Sequence, residues 1–132
     1  MNSLRVVYLD GRQHTDPDVV VRTPNGESIG RWEGDTLVVD TRHFRPDHHW
    51  MDQGNAAIPA GEQLRIIERI RLINGGKQLE TAYTMTDPEN WVGEWKSTKR
   101  FNRVDDIDIH EVECLPDLNE HLQSTRSRTQ VR

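Results

Sequence analysis

Apolar residues along this chain alternate with polar ones, and turn signals cut the alternation into short pieces. The longest piece is 28–44, S-I-G-R-W-E-G-D-T-L-V-V-D-T-R-H-F, which predicts two strands joined at Gly34-Asp35. A glycine followed by a polar residue suits a II′ turn, whose twist matches that of the strands it joins. Beyond the turn, alternation puts Leu37, Val39, Thr41 and His43 on one face and Val38, Asp40, Arg42 and Phe44 on the other. Residues 64–73, L-R-I-I-E-R-I-R-L-I, repeat the pattern. Their apolar face carries Leu64, Ile66, Glu68, Ile70 and Leu72, with a carboxylate at its centre. The β-branched content and the following Asn74-Gly75-Gly76 favour a strand and hairpin over a helix.

Shorter strands are expected at 4–9, 78–86, 93–101 and 107–114, with an edge strand at 19–21. Residues 45–61 read as one long loop, and a loop of that length in a small domain is usually functional or mobile. From Leu115 onward a helical turn or two is expected. The pattern is an all-β meander: a small antiparallel β-barrel of the calycin or lipocalin kind, or a two-sheet sandwich, of about seven or eight short strands. Residues 1–122 form the single domain, and 123–132 a disordered polar tail.

Composition narrows this picture. With 132 residues, 33% hydrophobic and 30% charged, the core must be thin. A protomer that completes its core as a homodimer or other homo-oligomer fits that balance. The net charge of −5 argues against nucleic acid as a partner, which needs a positive field to displace counterions. No stretch approaches the ~20 apolar residues of a membrane span. The opening M-N-S-L-R-V-V-Y does not read as a signal peptide, so a soluble, cytoplasmic or already trimmed chain is expected. The one cysteine, Cys114, allows no internal disulfide and reads as a structural thiol.

In order, Y-L-D-G-R-Q-H, S-I-G-R-W-E-G-D-T-L-V-V-D-T, W-M-D-Q-G, I-I-E-R-I-R and M-T-D-P-E-N-W followed by E-W resemble a large, mostly uncharacterised family of bacterial β-rich proteins. The resemblance runs over about 4–114 and implies a β-rich fold. Members of that family are usually longer at the N-terminus and look exported, which leaves a periplasmic or secreted location open. This chain departs from the family after Trp50, where Ile58-Pro59-Ala60-Gly61-Glu62 stands in place of a Pro-His-Ser segment. The resemblance transfers no activity.

Glu68 heads the residues with chemical potential. A carboxylate among Leu64, Ile66, Ile70 and Leu72 would be desolvated, which raises its pKa and tunes it for acid–base work. The plainer alternative is a structural ion pair with an inward Lys99. His43 shares the inward face by alternation and would be the proton-transfer partner of Glu68. Tyr83, on the next strand, can donate to a carbonyl or oxyanion. The ligand-contacting set is Trp32, Trp50, His48, His49, Asp52 and His110, with Trp50 and the histidines of 47–52 as an adaptable lid. Trp91 and Trp95 suit an interface. No metal is expected. Were one bound, His43, His48 and His49 would hold it, although no metal-binding spacing is present. The absence of a phosphate loop or nucleophile elbow points away from dinucleotide and nucleotide cofactors, and no cofactor is expected. The sequence therefore predicts a barrel that encloses a small apolar or aromatic molecule, extended to cofactor-free lyase, isomerase or hydrolase chemistry by Glu68, His43 and Tyr83. The alternatives are a non-catalytic binding or assembly module and a His-ligated metalloenzyme.

Overall fold

The computed structural model describes residues 4–46, 51–52, 57–58 and 60–105, with 51–52 and 57–58 as backbone. Its strands are β1 (Val7–Tyr8), β2 (Glu27–Glu33), β3 (Thr36–Arg42), β4 (Met51–Asp52), β5 (Ala57–Ile58), β6 (Arg65–Ile73), β7 (Gln78–Thr86) and β8 (Trp95–Asn102). The all-β expectation holds. Six strands form one sheet in the order β1-β2-β3-β6-β7-β8, and β4 and β5 make a separate two-stranded ladder. Every pairing is antiparallel except β1 with β2, which is parallel. Among the described residues the large sheet does not close into a barrel, because β1 and β8 lie at its opposite edges. No helix among them is long and apolar enough to cross a membrane.

The central hairpin forms as its residues dictate. Glu33 pairs with Thr36 across Gly34-Asp35, and Gly34 has φ +58° while Asp35 keeps a negative φ. A positive φ at the first central residue alone marks the II′ turn. The second hairpin, β6 to β7, turns at Asn74–Gly76, with Asn74 and Gly75 both at positive φ. Two expected strands differ. The 4–9 run pairs only through Val7 and Tyr8, and 19–21 forms no strand because the chain turns at Pro17–Val19. The long loop is not wholly irregular, since Met51–Asp52 pairs with Ala57–Ile58 inside it. The expected strand at 107–114, the helical turn after Leu115, Cys114 and the 123–132 tail lie outside the described residues.

Residues directly opposite each other in a ladder share a face. The registers therefore define a front face on which Gly30, Val39, Glu68, Tyr83 and Ser97 form one row. Ser28, Thr41, Ile66, Met85 and Trp95 form the next row, and Trp32, Leu37, Ile70, Thr81 and Lys99 the row on the other side. The back face is charged. Arg65 and Arg42 grip Asp40, Arg69 and Arg31 grip Glu33, and Arg71 and Arg100 grip Glu80. Only Val38, Val39, Leu64 and Met85 are buried hydrophobics among the described residues, as a thin core requires.

Candidate functional site

The front face holds the first cluster. Glu68 sits between Val39 and Tyr83 in the ladder and is 5% exposed, so the sheet itself buries its carboxylate. The reach of Arg5 from the segment before β1 supplies the counter-charge, with Nη2 2.5 Å from Oε2. Lys99, the partner expected from the sequence, lies instead over the Tyr83 ring at 5.9 Å from its centroid. Burial, then the nearby Glu68 charge, pushes the Tyr83 phenol above its usual pKa, so it remains a protonated donor. Arg5, Glu68, Tyr83, Lys99, Asn25 and Thr41 surround a recess of about 260 Å³ whose apolar walls are Pro24, Phe44 and Ile66. The carboxylate is buried as the alternation implies, but it is ion-paired.

His43 lies elsewhere, which corrects the expected Glu68–His43 partnership. β3 ends at Arg42, and His43 takes φ +61°. A left-handed residue breaks strand alternation, so from His43 onward the side chains no longer project to the faces that counting assigns. The imidazole packs on the back side against His14, with ring centroids 5.8 Å apart in an edge-to-face arrangement. Its Nε2 is 3.8 Å from Glu27 Oε2. Glu27 is opposite Arg42 in the ladder and shares the back face with Asp40. Glu68 and His43 therefore stand on opposite sides of one sheet and cannot exchange a proton directly.

The His43 environment is built by the 12–17 loop. Glu27 accepts bonds from the Thr15 hydroxyl at 2.7 Å, the Thr15 backbone N–H at 2.9 Å and His14 Nδ1 at 3.1 Å. Burial alone would raise the Glu27 pKa, but these bonds outweigh it and hold the group below the usual carboxylate range. Burial lowers the His43 pKa, and the Glu27 charge only partly offsets that effect. The Nε2 of His43 is buried and has no hydrogen-bond partner. His14 Nε2 is likewise buried without a hydrogen bond, and lies 3.6 Å from Asp40 Oδ2. His14 and His43 border a recess of about 570 Å³ on this side. Sequence periodicity had no means of finding His14 or Glu27, because His14 lies in a loop and Glu27 opens a strand on its polar face.

The remaining expected residues divide simply. Trp32 is on β2, 62% exposed, beside a recess of about 530 Å³ that it shares with Leu37, Ile70, Leu72 and Leu79. Trp91 and Trp95 pack on each other edge to face, 6.4 Å between centroids. Asp52 is placed in β4 by its backbone alone. His48, His49, Trp50 and His110 lie outside the described residues, so of the metal set His43, His48 and His49 only the first is located. Comparison with protein-family models, with curated proteins and with solved structures finds no match to this chain.

Proposed function

We propose that this protein is a small-molecule-binding β-sheet module whose ligand occupies the front recess over Glu68. The observation that carries the reading is the convergence of Tyr83, Lys99 and the Arg5–Glu68 pair on a concave, part-apolar surface. Ligand sites are typically apolar hollows with a few placed polar groups, and this one is sized for a single ring. The Tyr83 hydroxyl and the Lys99 ammonium are both donors, so the ligand presents an acceptor such as a carboxylate or carbonyl next to its ring. Glu68 fixes Arg5 as a wall of the recess. Proton transfer between Glu68 and His43 forms no part of this function, since the sheet separates them.

Titration of isotope-labelled protein with benzoate and with acetophenone tests the proposal. Amide shifts should cluster at 66–68, 81–85 and 97–99, and Tyr83→Phe and Lys99→Ala should each weaken binding several-fold. Shifts scattered over the surface, or none at millimolar ligand, would refute it.

A second reading, self-association, has its own observation. On the front face Trp32, Leu72 and Phe101 are 62%, 66% and 51% exposed, and Leu72, Leu79 and Phe101 form one row across three strands. An apolar row of that kind marks an interaction surface. Sedimentation at micromolar concentration should show a dimer that Phe101→Lys dissociates; a monomer throughout would remove this reading.

A further inference from the structure

We infer that His14, Glu27 and His43 form a binding site for a first-row divalent cation, on the face of the sheet opposite the ligand recess. One donor atom from each of the three lies within 4.8 Å of the other two. Two edges of that triangle are short, since His14 Nδ1 and His43 Nε2 stand 3.1 and 3.8 Å from the same Glu27 oxygen. Around a tetrahedral ion with bonds of about 2.0–2.1 Å, donor atoms sit roughly 3.3 Å apart. The Glu27–His14 edge already matches that spacing, and side-chain rotations of about 1 Å bring in His43.

The buried Nε2 of His43 makes the case specific. It has no hydrogen-bond partner, and at 3.8 Å from Glu27 Oε2 it stands too far away for a hydrogen bond to that carboxylate. Buried polar atoms in a folded protein are normally partnered, and a cation between the ring nitrogen and the carboxylate supplies the partner that the protein itself does not. His43 is 7% exposed, so bulk water does not take that place.

The surroundings also suit an imidazole ligand. Metal-bound histidines normally donate their other ring N–H to a carboxylate or carbonyl, which fixes their orientation. Asp40, 3.6 Å from His14 Nε2, plays that part for His14 once that ring ligates through Nδ1. The Thr15 N–H and hydroxyl hold both oxygens of Glu27. Two imidazoles and one carboxylate match zinc sites with an open fourth position, and also the facial arrangement that holds iron(II). Both histidines also border the back recess of about 570 Å³.

Isothermal titration of the full, tag-free chain with Zn²⁺, and visible absorption after addition of Co²⁺, test the site. One equivalent should bind, with d–d bands showing nitrogen and oxygen ligation. His14→Ala and Glu27→Gln should each weaken Zn²⁺ binding at least tenfold, while the His48→Ala/His49→Ala double variant leaves it unchanged. Circular dichroism of His14→Ala establishes that it is folded; this loop residue is used because altering the buried His43 endangers the sheet. The inference is overturned by a folded His14→Ala that binds Zn²⁺ as tightly as the parent, by loss confined to the His48/His49 variant, or by no binding at 100 µM metal.

Discussion

The Arg5–Glu68 pair yields an asymmetry that can be measured. Glu68 has a side chain 7% exposed, whereas that of Arg5 is 38% exposed. Arg5→Ala leaves a buried carboxylate without its counter-ion, and removing one partner of a buried pair costs about 3–5 kcal/mol. The partial exposure of Arg5 and the nearby Lys99 reduce that figure to about 2–3 kcal/mol through screening and replacement. Glu68→Gln removes the charge, keeps the shape, and leaves an arginine that swings into water; its cost is about 1 kcal/mol. In the double variant no buried charge remains, so Arg5→Ala adds only its lost packing, and the total is about 1–1.5 kcal/mol. The coupling between the two residues is then about 2 kcal/mol, which is large for a contact reaching a strand centre from outside the sheet. Urea unfolding followed by tryptophan fluorescence gives all three values. If Glu68→Gln costs more than Arg5→Ala, or the two effects simply add, Arg5 is not what makes the buried carboxylate tolerable and the account of the recess fails.

Three further outcomes follow from the same geometry. Gly26 has φ +66°, and a Cβ there would lie 2.6 Å from the Arg42 backbone oxygen, so Gly26→Ala should lower stability by about 1–3 kcal/mol in the same urea assay. Asp87 is fully buried and accepts the Gly61 N–H at 2.6 Å and the Asn90 side-chain amide at 2.7 Å; Asp87→Ala should cost about 2–4 kcal/mol and speed amide exchange at Gly61. Burial would raise the Asp40 pKa, but the bonds from Arg65 and Arg42 bring it down to about 2. Its stabilisation is therefore complete above pH about 4 and lost as the pH falls from there toward 2, an effect of about 1–2 kcal/mol after allowance for the half-exposed arginines. Asp40→Asn should flatten that part of the stability–pH curve, and an unchanged slope would contradict the assignment.

Much of the sheet was legible because its residues obey one local rule. Gly34-Asp35 states the turn, and Leu37, Val39 and Thr41 state the face. In β6 the same rule places Glu68 inward among isoleucines, where the register finds it. The closed barrel was a different kind of inference. It assumed that an all-β meander must remove its edges, yet β1 contributes only Val7–Tyr8 and β8 carries Lys96, Lys99 and Arg100, which blunt an edge by charge and brevity. Nothing in strand periodicity reports whether the two ends of a sheet meet.

The candidate sites follow from the same distinction, and His43 shows where it bites. Alternation holds only while each residue keeps an extended backbone, and one left-handed residue ends it. Counting from Leu37 puts His43 on the face of Glu68; φ +61° puts it beside His14 and Glu27 instead. Histidine is among the residues that tolerate this conformation, but the sequence T-R-H-F contains no glycine or asparagine to announce it. The partners on both faces come from the segment least regular in pattern: Arg5 crosses to the front to neutralise Glu68, and His14 and Thr15 cover the back around Glu27. An N-terminal segment that supplies an arginine to one face from before β1 and a histidine to the other from after it ties the two clusters to the position of a single stretch of chain. Displacing 4–15 should therefore disturb ligand binding on the front and cation binding on the back together, although no residue is shared between them.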